Sequence, residues 1–374
     1  MSSDHLVELR TALAASLELL HAGAGASARA AGGQISRDTA AADALLSGSV
    51  VDLANIQPTL SALAKMVSHQ TTMLTIAARA GDAKETRHAC GRIADCVGKL
   101  VATVHTLPSA IGASLSAKVA GAADNLIRGI QQLVESSLAE TPAGPAARPA
   151  PARLSSNSAA GNAWSACTDI EQLPLSNSLV VAELLELRAE QLTDAIDECA
   201  ELVESASADK DDHDDDDDDD EAKEGSDGWD ELIGERGEGT RCTQEDQEWI
   251  RGAQTMIKTV KLTIKKLASV LRAAKTHSHK TNTAMDGLAK FADRCVEAAD
   301  ELVGNIDLPV ADNAASLTSA VAEVVEAETR LLDAAESLLA DLDALQSQTH
   351  NHPWLGMCTR QMAQLTSKLA FPEK

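Results

Sequence analysis

An all-α fold of two antiparallel helix bundles is predicted by three observations. The palette is helical: Ala and Leu dominate the 374 residues, Tyr is absent, and aromatic residues make up only 2%, which favours helix and disfavours extensive sheet. Apolar residues recur at steps of three and four through nearly every long segment. The length also exceeds what one core normally supports, and one strongly acidic run divides the chain.

Taken in order, a first apolar pattern runs from about Leu6 to Leu20 and ends in the Gly-rich stretch His21 to Gly33. A second runs from about Asp38 to Ala80, with Pro58 either starting a helix or kinking one. Asp82 is a natural N-cap for the next helix, whose stripe is Cys90, Ile93, Val97, Leu100, Val104 and Leu107, closed by Pro108. Leu115, Val119, Ala122, Leu126, Ile130 and Leu133 form another stripe, and the short connections imply antiparallel neighbours. Thr141 to Arg153 is too rich in Pro to be helical and reads as an extended surface loop; its Pro142 and Pro145 lack the flanking Arg of an SH3 ligand. Helical pattern resumes after Asn162, and Leu184, Leu192, Ile196, Cys199 and Leu202 form the last stripe before the acidic run.

Residues 209–231 carry 15 Asp and Glu against Lys210 and Lys223, a net charge of −13 out of the chain's −25. Like charges repel and nothing apolar anchors them, so this stretch is expected to be a disordered linker. Trp229, with Leu232 and Ile233, is an apolar island inside it. The domain expectation is therefore a bundle over 1–207 with a Pro-rich loop at 141–160, a linker over 208–241, and a four-helix bundle over 242–374.

The second bundle opens at Thr243, an N-cap followed three residues later by Asp246. Ile250, Ala253, Ile257, Val260, Ile264, Leu267 and Leu271 keep a heptad seam. Lys258, Lys261, Lys265 and Lys266 fall outside that seam, within a stretch, Arg251 to Lys280, of eight basic and no acidic residues. Further helices are expected at about Asn282 to Asn305, Asp312 to Leu345 and Pro353 to Ala370. In the second of these, Leu317, Val321, Val324, Leu331, Leu338, Leu342 and Leu345 form a seam that Glu328 interrupts, so a drifting register or partial exposure is expected there.

Overall acidity argues against nucleic acid or an anionic membrane as principal partner. No apolar run approaches the length of a bilayer span, and the first residues lack the charged start and apolar core of a signal peptide. Seven scattered cysteines without a CxxC read as reduced thiols at helix interfaces in an intracellular protein, and the expected location is cytoplasmic and nuclear. No GxxxxGK[ST], HExxH or GxSxG motif occurs, and the Asp214 to Asp220 run lacks the turn glycine and bidentate Glu of a calcium loop. His277 with His279, and His350 with His352, offer two ligands each, too few for a metal site. No enzyme activity, catalytic residue, metal or cofactor is expected. Trp164, Trp249 and Trp354 sit near expected helix starts, where a large ring seals a bundle end and its N–H reaches an acceptor.

Trp164-Ser-Ala-Cys167, then Pro174 and Asn177 before a helix, resembles a signature of the cyclin-D-interacting (GCIP) family. The acidic insert followed by Glu245-Asp246-Gln247-Glu248, with Lys261 and then Lys265-Lys266, and the Trp354 that opens the last helix, are similar too. The similarity spans roughly residues 50–370. It implies bundles like those of talin and vinculin, and a regulator of cell-cycle progression that binds D-type cyclins and helix-loop-helix transcription factors. Lys258, Lys261, Lys265, Lys266 and Trp229 are the candidate partner-binding residues. A cytoskeletal adaptor is the alternative, since talin-like bundles also bind filament proteins; a chaperone-like acidic sink for basic nuclear proteins is a third reading.

Overall fold

The structure, a computed structural model, describes residues 3–33, 53–139, 150–174, 176–208, 242–274, 278–346 and 352–371. Among these there are ten α-helices and no strand. No described helix is long and apolar enough to cross a membrane. The acidic run, Trp229 and residues 141–149 of the Pro-rich loop lie outside the described residues. Two compact units form, Met1–Val181 with Lys275–Asp286, and Ala182–Ala274 with Gly287–Lys374.

The first unit contains α1 (Ser3–Gly33), α2 (Leu53–Ala80), α3 (Ala83–His105), α4 (Ala113–Ala139) and α5 (Ala150–Glu171). These close a ring in which α1 touches α3 and α4, α2 touches α3 and α5, and α4 touches α5. The turn between α2 and α3 passes through Gly81 at a φ of 73°, a backbone shape that favours glycine. Asp82 then accepts hydrogen bonds from the Lys84 and Glu85 amides, satisfying two of the orphan donors at the start of α3. The two stripes read from sequence face the core: Cys90, Ile93, Val97, Leu100 and Val104 are buried, as are Leu115, Val119, Leu126, Ile130 and Leu133.

Three local expectations are corrected. The α1 backbone stays helical through Gly33 although the apolar pattern ends near Leu20, because Ala in this stretch sustains helix without marking a face. Pro58 is the sixth residue of α2, so of the two expected roles it does not begin the helix. Helix α5 begins at Ala150, inside the expected loop, with Pro151 in its first turn, where a missing N–H costs nothing. The buried face of α5 is small: Ala159, Ala160, Ala163 and Ala166 carry it. A Cβ on Gly129 of α4 would lie 3.1 Å from the Ala163 backbone, so the two helices meet backbone to backbone.

The second unit contains most of α6 (Asn177–Ala208), α7 (Gln244–Ala273), most of α8 (His279–Gly304), α9 (Ala314–Gln346) and α10 (Pro353–Leu369). The expected division at 207 gave α6 to the first bundle and four helices to the second. Instead α6 buries Leu185, Ala189, Leu192, Ile196 and Cys199 within the second unit, which thus has five helices. The division between the units falls within α6, between Val181 and Ala182, and not at the acidic run. Gln254 donates to the Ile196 carbonyl at 3.0 Å and Arg272 pairs with Glu186, so α6 and α7 run antiparallel. All seven seam residues of α7 are buried, at roughly 1.5–3 kcal/mol for each fully buried large side chain.

The expected drift at Glu328 does not occur. Leu317, Val321, Val324, Leu331, Leu338 and Leu342 are buried on α9, and Glu328 is buried with them at 1% exposure. The register holds because a hydroxyl on α7, Thr263, meets the carboxyl at 2.7 Å.

Candidate protein-interaction site

The basic helix is fixed at its start by a reciprocal capping box. The Thr243 hydroxyl accepts from the Asp246 amide at 3.1 Å, and Asp246 accepts from the Thr243 amide at 2.8 Å. The second carboxylate oxygen of Asp246 accepts from the Val310 amide at 2.9 Å, so this buried side chain also holds the loop ahead of α9. Asp246→Ala is expected to lower unfolding stability by about 2 to 3 kcal/mol, because it removes a cap and leaves a buried N–H without an acceptor. Urea titration checks this; a loss under about 0.5 kcal/mol would contradict the capping role.

The opposite face of α7 is open to solvent. Lys258, Lys265 and Lys266 are exposed, and Leu262 among them is 66% exposed. Lys258 donates to Gln254 on its own helix at 2.8 Å, while Lys265 and Lys266 make no hydrogen bond or ion pair among the described residues. Lys261 differs from the other three: it is half-buried and donates to Thr193 of α6 at 2.8 Å, so it belongs to the helix interface. A large apolar side chain ringed by three cations forms an amphipathic, positively charged patch. Leu262 had no signal of its own in the sequence, because one apolar residue off the seam is common on helix surfaces.

The tryptophans are placed differently from one another. Trp249 donates its indole N–H to the Leu369 carbonyl at 3.2 Å and stacks on Phe371 with ring centroids 5.9 Å apart, joining α7 to the end of α10. Trp354 lies in the first turn of α10 with its indole N–H buried and no acceptor among the described residues. Trp164 sits well inside α5 and is 40% exposed, so it opens no helix and seals no bundle end.

Asn177 is the centre of a network the sequence did not show. As the first residue of α6, 2% exposed, it accepts from the Leu115 amide at 2.9 Å and donates to Asp286 and to the Asn282 carbonyl. Asp286 accepts from the Ala113 and Ser114 amides at 2.7 and 3.0 Å, and Asn282 donates to the Ala110 carbonyl. The three leading amides of α4 are thus capped by side chains 62 to 173 positions away. Pro174 precedes this start of α6 half-buried. A long-range cap leaves no local spacing to read.

Burial favours the protonated form of the buried thiols. Burial pushes Cys90 and Cys199 up to about 11 and Cys167 up to about 12, and raises Cys96 and Cys295 as well. Among the described residues no group of three or more His, Cys, Asp or Glu is placed to hold a metal ion. Between α9 and α10 a cleft of about 400 Å³ has Leu332, Leu339 and Leu355 in its lining, together with Asp333, Glu336 and Asp343.

No curated protein matches the chain significantly. Residues 59–205, from α2 to near the end of α6, match the family model described as Grap2 and cyclin-D-interacting, N-terminal. This span includes Trp164, Cys167, Pro174 and Asn177, whereas Asp246, Trp249, Trp354 and the α7 lysines lie beyond it. Residues 59–205 are therefore similar to the N-terminal domain of the Grap2 and cyclin-D-interacting (GCIP) family.

Proposed function

We propose that this protein acts without catalysis, as a regulator of cell-cycle progression and transcription that binds D-type cyclins and helix-loop-helix factors in the cytoplasm and nucleus. The match of residues 59–205 to a family model described as cyclin-D-interacting is the observation that carries this reading. The surface supports it: the Lys258, Leu262, Lys265 and Lys266 patch has the apolar centre and charged rim of a helix-binding face. Lys261 and Trp229 stand apart, the first because it is engaged with Thr193, the second because it lies outside the described residues.

The test is calorimetric titration of the full chain with a purified D-type cyclin and, separately, a helix-loop-helix dimer. Saturable binding to either is the expected result. Leu262→Ser combined with Lys265→Glu and Lys266→Glu should weaken it about tenfold or more, the effect of removing one exposed anchor and reversing two rim charges. The unfolding midpoint should stay unchanged, since none of the three is buried. Binding to neither protein, with robust pelleting on filamentous actin, would replace this reading with the cytoskeletal adaptor.

A further inference from the structure

We infer that the basic face of α7 is a docking site for the chain's own acidic segment, which occupies Lys258, Lys265 and Lys266 until a charged partner displaces it. The occupant is residues 209–231, with its net charge of −13. Outside this segment the chain is acidic as well, so the lysine face is the attractive place for it to settle.

The chain path supports the contact. Because α6 and α7 are antiparallel, Ala208 and Gln244 lie at the same end of the pair, and the segment leaves and returns there. Lys258 and Lys266 stand about 21 and 33 Å along α7 from Gln244, at ~1.5 Å per residue. Asp214 and Asp220 follow Ala208 by six and twelve residues, an extended reach of roughly 20 and 40 Å. The densest part of the negative run is therefore long enough to reach the three exposed cations. Tethering also holds the segment at an effective concentration near millimolar, so individually weak, exposed contacts suffice. Such an occupant is sensitive to salt: the contact loosens as the Debye length shrinks from about 10 Å at 0.1 M to about 3 Å at 1 M.

The experiment uses the full chain and a fluorescent deca-aspartate peptide as probe, read by anisotropy at low salt. In one variant each Asp from Asp214 to Asp220 is replaced by Asn. This variant should bind the probe about tenfold more tightly than the wild type, with the gap closing as salt rises to 0.3 M. Adding Lys258→Glu, Lys265→Glu and Lys266→Glu should abolish the gain. Equal binding by wild type and variant overturns the proposal and leaves the face open to a partner. No binding by the Asn variant also overturns it, as does a gain that persists in the lysine-to-glutamate background, which marks general charge repulsion. None of these outcomes depends on whether a cyclin binds.

Discussion

Replacing Glu328 with Gln is expected to make the protein more stable than wild type above pH 7 and about equally stable near pH 5. Burial pushes the Glu328 carboxyl from its ordinary 4.5 up to about 7. The hydrogen bond that the Thr263 hydroxyl donates favours the charged form and offsets only part of that rise. Thr263 lies 2.7 Å from Glu328 Oε1 and 3.1 Å from the Thr259 carbonyl oxygen, and has one hydroxyl proton to give. Glu328 Oε1 has to share that proton with the Thr259 carbonyl, and its Oε2 has no partner among the described residues, so an ionised carboxylate is poorly satisfied. Since the folded-state value is raised, the unfolded chain releases the proton first. Stability is then full below about pH 4.5, falls as pH rises from 4.5 to 7, and is flat above. The loss across that window is on the order of 3 kcal/mol. Urea unfolding of wild type, Glu328→Gln and Glu328→Met at pH 5 and pH 8 measures it. Both variants should exceed wild type at pH 8 by about 2 to 3 kcal/mol. Identical pH dependence in wild type and Glu328→Gln would show that the carboxyl is solvated.

Gly112→Ala should be the most damaging small substitution in the first unit. Gly112 has a φ of 102°, and a Cβ there would stand 2.2 Å from the Asn177 side chain. The backbone strain alone costs about 1 to 2 kcal/mol. Displacing Asn177 strands the Leu115 amide and disturbs Asp286, adding about 1 to 3 kcal/mol for each buried group left unpaired. A total loss of at least about 3 kcal/mol follows, with faster amide exchange at Ala113, Ser114 and Leu115. Gly98→Ala is the control. Its added methyl meets nothing within 4 Å in the middle of α3, so it should be neutral or stabilising by up to about 1 kcal/mol. If the two variants melt alike, Gly112 is not held by the Asn177 network.

What was legible in the sequence was whatever repeats locally. The α3 and α4 stripes and the α7 seam were readable because Leu, Ile and Val at helical spacing mark a face. Helix α5 was half missed because its buried face is alanine, a residue that serves inside or outside equally well. The allocation of α6 was misread for another reason: periodicity shows that a helix has a buried face but not which helices cover it. Glu328 broke the seam on paper because a carboxyl is priced as a charge in any pattern, whereas in the core it sits beside a hydroxyl from a different helix. The lysines of α7 were visible as a group, and only packing separated Lys261 from the three that face solvent.

The distant capping of α4 has a consequence for how the chain is made. Ribosomes deliver residues in order, and α4 is complete long before Asn177 and Asp286 have emerged. Until then its leading amides have only water, and the first unit waits on a residue more than 170 positions downstream. Sequence separations of this size slow folding, because loop closure precedes the contacts that reward it. A fragment cut at residue 207 would keep α1 to α5 yet lack Asp286 and Asn282. It would be a permanently unfinished intermediate, and its solubility and partner binding would report on that state and not on the folded protein.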